Sequence, residues 1–176
     1  EVTDVANAVF EQADAIMLSG ETSVGNFPTM CVEVMDRIAQ RMEQERGARF
    51  HREAKLDDQR QRLAKSAVRM ADDLSAEAIV MFTVSGRMVR QAAWMRPRHA
   101  KILALCADPR VAGALTLHRG VTSVIIDNFC PDVPVLDAIA TLKERGHLQA
   151  GQTVVVSSST KAIQKIANSV QVHEVS

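Results

Sequence analysis

Short apolar runs alternate with amphipathic segments along most of this chain. Continuous apolar runs rich in β-branched residues predict strands buried on both faces, and apolar residues at helical spacing predict helices. Strands are predicted over Ala15–Leu18, Ala78–Val84, Lys101–Cys106, Val121–Asp127, Thr153–Ser157 and Val170–Val175. Helices are predicted over Val5–Gln12, Thr29–Glu45, Gln61–Leu74, Ser85–Met95, Asp108–His118, Val135–Arg145 and Ala162–Asn168.

A change of composition divides this pattern into three parts. Residues 48–60 are rich in charged and polar residues and predict a linker. Residues 1–47 form a helix–strand–helix piece, whereas residues 61–176 repeat strand and helix in alternation. Alternating strands and helices with right-handed crossovers predict a small doubly wound α/β domain with a mostly parallel five-stranded sheet.

Composition limits the classes of partner. Hydrophobic residues make up 47% of the 176 residues, which is enough for a packed core. The counts of Lys+Arg and Asp+Glu are both 21, and this balance argues against nucleic-acid or membrane-surface binding. Aromatic residues are only 3%, too few for a platform that stacks successive bases. We therefore expect neither a nucleic acid nor a membrane as partner.

The cysteines and histidines have no spacing typical of a structural metal site. The three cysteines, Cys31, Cys106 and Cys130, include no C-x-x-C pair, and the five histidines are scattered. Free thiols in a reducing cytoplasm are the expected state. No metal site is expected within this chain.

The first candidate site follows the predicted strand Ala15–Leu18. In parallel α/β folds the carboxyl end of a strand is the usual place for chemistry. Ser19 and Glu21 would then be hydrogen-bonding or electrostatic groups at the rim of an active site. The alternative is a polar loop in which Ser19 or Thr22 binds backbone amides.

The second candidate site follows the predicted strand Ala78–Val84. Amide groups at a helix N-terminus attract anions, and Gly86 would let a phosphate approach the backbone. Thr83, Ser85 and Arg87 would add donors. The alternative is that Ser85 only caps the helix.

A resemblance to a known family rests on several segments. Asp4–Val9, Ala13–Thr22 and Gly25–Pro28 resemble the end of the catalytic barrel of pyruvate kinases. Four later segments resemble the C-terminal domain of the same family: Val84–Arg87, Trp94–Pro97, Arg119–Val121 and Gly146–Gly151. The resemblance covers essentially the whole chain and is looser after Ser157.

The resemblance implies a fold and an activity. Pyruvate kinases transfer a phosphoryl group from phosphoenolpyruvate to ADP, with Mg²⁺ and usually K⁺. Residues 1–47 would be the last helix–strand–helix of a (β/α)8 barrel, with Ser19 and Glu21 as outer members of the active site. Sugar phosphates would bind at Ser85–Arg87, and Ser157 and Ser158 stand where the family carries a Gly-rich effector loop.

The resemblance also implies what this segment lacks. The family's catalytic lysine, metal ligands and phosphate-binding residues belong to earlier barrel strands, and none of those motifs is present. We therefore expect a segment of a larger architecture that binds no cofactor, is inactive alone and self-associates, as a tetramer by resemblance. Two alternatives stay open: a stand-alone phosphometabolite-binding module, and a structural oligomerisation domain.

Overall fold

The computed structural model describes residues 1–53, 55–126, 134–162 and 165–176. The chain divides into two compact units, Glu1–Ala54 and Lys55–Ser176. The division falls inside the polar segment 48–60.

The first unit is helical. It contains α1 (Val2–Phe10), α2 (Gly20–Ser23), α3 (Pro28–Glu43) and a 3₁₀ turn at Phe50–Arg52. Pro28 stands in the first turn of α3, where its fixed φ suits the helix and its missing N–H is not needed. α1 packs against α3. None of the residues of these three helices is buried, so the unit has no core of its own in them.

The predicted strand Ala15–Leu18 is wrong. The segment has no regular secondary structure, and the side chain of Met17 is 87% exposed. A strand needs a neighbouring strand to take its backbone hydrogen bonds, and the described part of this unit holds only helices, turns and irregular backbone. The helix–strand–helix prediction is therefore confirmed for its helices alone.

The second unit alternates helices and strands around one sheet. Its elements are α4 (Gln59–Asp73), β1 (Ala78–Phe82), α5 (Arg87–Trp94), β2 (Lys101–Cys106), α6 (Pro109–Leu115), β3 (Val121–Ile125), α7 (Val135–Glu144), β4 (Thr153–Ala162) and β5 (Lys165–Glu174). The strand order is β3-β2-β1-β4-β5, with parallel pairing from β3 to β4 and an antiparallel β5. The prediction of an α/β fold with a mostly parallel five-stranded sheet is confirmed.

Core side chains cover both faces of this sheet. On β1, Ile79 and Met81 belong to the cluster that includes Val68 of α4 and Val89 of α5. Val80 belongs to the opposite cluster with Ile139 and Leu142 of α7. Because successive side chains of a strand point to opposite faces, this division shows helices on both sides, as a doubly wound domain requires.

The end of the chain differs from its prediction. The helix predicted over Ala162–Asn168 is wrong, since Ala162 ends β4 and Lys165 begins β5. Antiparallel pairing runs from Thr153↔Glu174 to Ala162↔Lys165, so ladder hydrogen bonds override a weak local helical pattern. Asp127, at the predicted end of β3, and Cys130 lie outside the described residues.

Candidate functional site

The second candidate site lies at the point where the strand order reverses. β1 pairs with β2 on one side and with β4 on the other, and Met81 is opposite Ser157. In open α/β sheets, ligands bind outside the carboxyl ends of strands at such a switch point. The segment after β1 and the residues Ser157 and Ser158 therefore share this edge of the sheet, although they are far apart in sequence.

The turn between β1 and α5 is closed by Thr83. The N–H of Gly86 donates to Thr83 Oγ1 at 2.8 Å, and the N–H of Thr83 donates to the carbonyl of Leu105 at 2.9 Å. Gly86 has φ +72°, and a Cβ at this position would lie 3.0 Å from Leu115 Cδ2. Thr83 therefore holds the turn, and glycine is favoured at residue 86 by both conformation and space.

The residues that follow the turn point outward. Ser85 and Arg87 are exposed, and α5 begins at Arg87 with its first intrahelical bond from the N–H of Arg90 to the carbonyl of Gly86 at 3.0 Å. The amides of the first helical turn have no acceptor within the helix. These amides are therefore available as hydrogen-bond donors, as the sequence analysis expected for an anion-binding site.

Ser157 contributes a buried hydroxyl to the same edge. Its side chain is 2% exposed, and among the described residues its Oγ has no hydrogen-bond partner. Ser157 comes two residues after Val155, so the two side chains lie on the same face of β4. Val155 packs in the cluster of α4 and α5, and Ser157 therefore faces the side of the sheet on which α5 begins. A buried hydroxyl without a partner is costly, and a ligand oxygen is one group that would satisfy it.

Ser158 belongs to a hydrogen-bond chain that the sequence did not reveal. Its Oγ lies 3.1 Å from Ser169 Oγ, which accepts from Gln171 Nε2 at 3.1 Å, and His173 Nε2 lies 2.9 Å from Gln171 Oε1. The i, i+2 spacing of Ser169, Gln171 and His173 places them on one face of a strand. This spacing was visible in the sequence, but the link to Ser158 needs the register of β4 against β5.

The first candidate site has a local arrangement. Ser19 precedes α2, and its N–H donates to Glu21 Oε2 at 2.9 Å, while Thr22 Oγ1 donates to the carbonyl of Ser19 at 3.2 Å. Hydrogen bonds from the backbone N–H groups of Glu21 and then Ser19 lower the pKa of the Glu21 carboxyl. The Glu21 carboxylate thus accepts hydrogen bonds from backbone amides of its own loop. The placement of Ser19 and Glu21 at the rim of an active site stays a prediction.

Metal chemistry finds no fit in the described residues. Within residues 1–53, 55–126, 134–162 and 165–176, no three His, Cys, Asp or Glu side chains are placed to hold a metal ion. We assign no step of this chain to a metal. Cys31 and Cys106 are free thiols, and burial, followed by the charge of Asp108, raises the pKa of the Cys106 thiol.

No helix in the described part of the chain is long and apolar enough to cross a membrane.

Two family models match the chain. The model described as "Pyruvate kinase, alpha/beta domain" matches residues 61–173. The model described as "Pyruvate kinase, barrel domain" matches residues 1–32.

Curated relatives carry the same name. The chain is 34% identical over 163 residues to a pyruvate kinase of Clostridium acetobutylicum, covering 90% of this chain and 34% of the relative. It is 32% identical over 170 residues to pyruvate kinase 2 of a Synechocystis strain, covering 96% of this chain and 28% of the relative. The chain therefore spans about a third of the length of these relatives.

Solved structures agree with the sequence matches. A Cryptosporidium parvum pyruvate kinase in complex with ADP is 30% identical, with a TM-score of 0.81, over 99% of this chain and 36% of that one. A second structure of a pyruvate kinase from the same organism gives a TM-score of 0.82 over the same shares.

Proposed function

Since this chain belongs to the pyruvate kinase family, we propose that it is the C-terminal portion of a pyruvate kinase. The parent reaction would transfer a phosphoryl group from phosphoenolpyruvate to ADP in glycolysis, in the cytoplasm. The observation that carries this proposal is the order of the two matches, with the end of the barrel before the α/β domain, in a chain that covers 36% of a solved relative. The family generally uses Mg²⁺ and K⁺, and both would act in the parent enzyme.

The isolated chain should not turn over. Phosphoryl transfer depends on metal ions and cationic groups placed around the moving phosphoryl group, and the barrel model matches only residues 1–32. With phosphoenolpyruvate, ADP, Mg²⁺ and K⁺, pyruvate formation measured by a coupled lactate dehydrogenase assay should stay at the blank level. A complete pyruvate kinase in the same assay is the control, and pyruvate well above the blank would contradict the proposal.

We assign effector binding to the edge formed by β1, β4 and the start of α5. Support comes from the amides of the first turn of α5, the exposed Ser85 and Arg87, and the buried hydroxyl of Ser157 with no partner among the described residues. These groups are donors suited to the phosphate of a sugar phosphate. The same site would serve the alternative of a stand-alone phosphometabolite-binding module.

Calorimetric titration with fructose 1,6-bisphosphate tests this assignment. Ser85→Ala and Ser157→Ala should each weaken binding severalfold, up to about tenfold, because each removes one hydrogen bond to the ligand. Ser66→Ala is the matched control, because that hydroxyl bonds only the carbonyl of Arg62 within α4, at 3.0 Å. Equal affinities for all three variants would place the ligand elsewhere, and no heat with the unaltered chain would reject this ligand.

Self-association is the second proposed role. β5 is the last strand in the sheet order, so its outer backbone edge faces no further strand of the described chain. Val172 on this strand is 47% exposed, and exposed strand edges favour pairing with another chain. A homo-oligomer through this edge, tetrameric as the family resemblance implies, fits both the parent enzyme and the oligomerisation alternative.

Sedimentation velocity of the full chain tests the role of β5. The unaltered chain should sediment as an oligomer, and Val172→Lys should shift it toward the monomer because a charge would be buried at the interface. Leu117→Lys is the control, since Leu117 is also exposed and follows α6, which packs against β3 at the other end of the sheet. A monomeric unaltered chain, or equal effects of both substitutions, would contradict the role of β5.

A further inference from the structure

A basic, solvent-exposed segment lies between the end of α3 at Glu43 and Asp58, the N-cap of α4. Within residues 44–53 and 55–57 no side chain is buried, and Phe50 is 59% exposed. The segment contains four basic residues, Arg46, Arg49, Arg52 and Lys55. Exposed polar segments between compact units are preferred sites of proteolysis. This segment therefore offers basic residues where an endopeptidase can reach the backbone.

The backbone around the Arg49–Phe50 peptide bond can open without exposing a core. The N–H of Ala48 donates to the carbonyl of Phe10 at 2.9 Å, and the N–H of Arg52 donates to the carbonyl of Arg49 at 3.0 Å. Both bonds must open when a protease binds the segment in an extended conformation. Because α1, α3 and the 3₁₀ turn contain no buried residue, this opening costs little hydrophobic contact.

Backbone strain singles out one of the four basic residues. Arg49 has φ +54° and ψ +36°, in the left-handed region that disfavours residues with a side chain. The other three, which all lie in the described part of the chain, have no positive φ. Arg49 loses this strain when it becomes extended. The relief offsets part of the cost of opening the segment, and it favours extension at Arg49.

The charges along the segment favour the same residue. Proteases that cleave after Arg or Lys bind that side chain through a carboxylate in the S1 pocket, and a nearby acidic side chain is repelled there. An acidic residue adjoins Arg46 and another adjoins Arg52, and a third lies two positions after Lys55. Arg49 has an uncharged residue on each side. Its Nε donates to the carbonyl of Arg46 at 3.2 Å, an exposed bond that the carboxylate of the pocket would replace.

We propose that the Arg49–Phe50 peptide bond is a processing site for a serine endopeptidase that cleaves after basic residues. Water adds across the C–N bond, so that Arg49 gains a carboxylate and Phe50 gains a free amino group. The cut separates residues 1–49 from residues 50–176. Both core clusters of the α/β unit remain in the second product, which therefore stays folded. This proposal rests neither on the parent reaction nor on effector binding.

Limited digestion of the full chain with trypsin tests the site. Intact-mass spectrometry of samples taken over time should show residues 1–49 and 50–176 as the first pair of products. Arg49→Gln should slow the formation of this pair by at least about tenfold, because the S1 pocket loses its charged partner. Arg49→Lys should restore cleavage at the same bond. Circular dichroism should show cooperative thermal unfolding of the 50–176 product.

Two controls separate cleavage chemistry from a change of structure. Arg52→Gln is the matched substitution, an equal change of charge three residues away in the same exposed segment, and it should leave the rate at Arg49–Phe50 unchanged. Chymotrypsin, which cleaves after aromatic residues, should cut after Phe50 at similar rates in the unaltered chain and in Arg49→Gln. Equal rates would show that the segment stays accessible in the variant.

Four results would overturn the proposal. The first is that trypsin leaves the unaltered chain intact, and the second is that its first cut falls at another bond. The third is that Arg52→Gln slows the cut as much as Arg49→Gln does. The fourth is that Arg49→Gln also resists chymotrypsin after Phe50, which would assign Arg49 a structural role in the segment.

Discussion

Ser157 follows three buried valines on β4, yet it places a hydroxyl in the same apolar layer. Its Oγ is buried with no partner among the described residues, and such a group costs about 1–3 kcal/mol of stability. Met81 of β1, which is paired with Ser157, packs fully in the core. A buried polar atom without a partner in the fold is expected at a position where a bound ligand forms the hydrogen bond.

Ser157→Ala should therefore raise the free energy of unfolding of the ligand-free chain by about 1 kcal/mol. The substitution removes the unsatisfied oxygen and leaves only a small void. Urea denaturation followed by circular dichroism measures the change, with Ser66→Ala on the exposed face of α4 as the control. A loss of stability at Ser157 would show that the fold itself uses this hydroxyl.

Gly86 shows how far a single residue can be predicted. The sequence indicated a glycine at the start of a helix, where a phosphate could approach the backbone. The structure adds a positive φ and the close approach of Leu115 Cδ2. Neither could be derived locally, because Leu115 comes from α6, 29 positions later in the sequence.

Gly86→Ala should destabilise the chain by about 1–2 kcal/mol, because an L-residue is strained in the left-handed region. Gly113→Ala is the matched control: Gly113 lies within α6, and a Cβ there would have no contact within 4 Å. This control should be neutral or stabilise by up to about 1 kcal/mol. Equal unfolding midpoints in urea for the two variants would contradict the explanation.

At the scale of elements, α4 begins with a complete capping box. Gln61 N–H donates to Asp58 Oδ1 at 2.7 Å, and Asp58 N–H donates to Gln61 Oε1 at 3.3 Å. The sequence analysis placed the start of this helix at Gln61, two residues late. Its apolar spacing was recognised, but the cap lies in the polar segment before the apolar stripe begins.

Asp58→Ala should lower the free energy of unfolding of the second unit by about 1 kcal/mol, the usual cost of a lost N-cap. Asp57→Ala is the control, because only the backbone N–H of Asp57 takes part, donating to Gln61 Oε1 at 2.6 Å. Thermal unfolding of both variants measures the difference. Equal shifts would show that charge, rather than capping, stabilises this end of α4.

The strands show where local sequence stops being sufficient. β1, β2 and β3 begin at the predicted residues, because continuous apolar runs covered on both faces are characteristic of parallel sheets. Ala15–Leu18 has the same type of sequence but forms no strand, and Ala162–Asn168 was assigned to a helix although its described residues form β4 and β5. In both cases, the presence or absence of a pairing strand decided the outcome.

At the scale of the whole molecule, the two units differ in their burial. The second unit has core clusters on both faces of its sheet, whereas α1, α2 and α3 contribute no buried residue. Regions with few buried apolar contacts open with little free energy. Their backbone amides are then accessible to exchange.

Hydrogen exchange should therefore differ sharply between the units. Amides of α3 should exchange far faster than those of β1, by several orders of magnitude, because the latter are released only by global unfolding. Mass spectrometry of peptides from residues 28–43 and 78–82 compares them within one sample. Similar protection in both peptides would mean that the first unit is stabilised in solution by contacts beyond its own helices.

The sequence alone determined the α/β class, the alternation of elements in the second unit and the resemblance to a family, and it predicted Ser85–Arg87 as donors for an anion. These follow from hydrophobic periodicity and short motifs, which act over one helix or one strand. Only the tertiary structure decided that Ala15–Leu18 forms no strand, that β4 and β5 pair antiparallel, and that Ser157 lies opposite Met81 on the side of the sheet covered by α4 and α5. Strand pairing and the burial of a hydroxyl depend on residues distant in the chain, and their energies arise only when those residues come together.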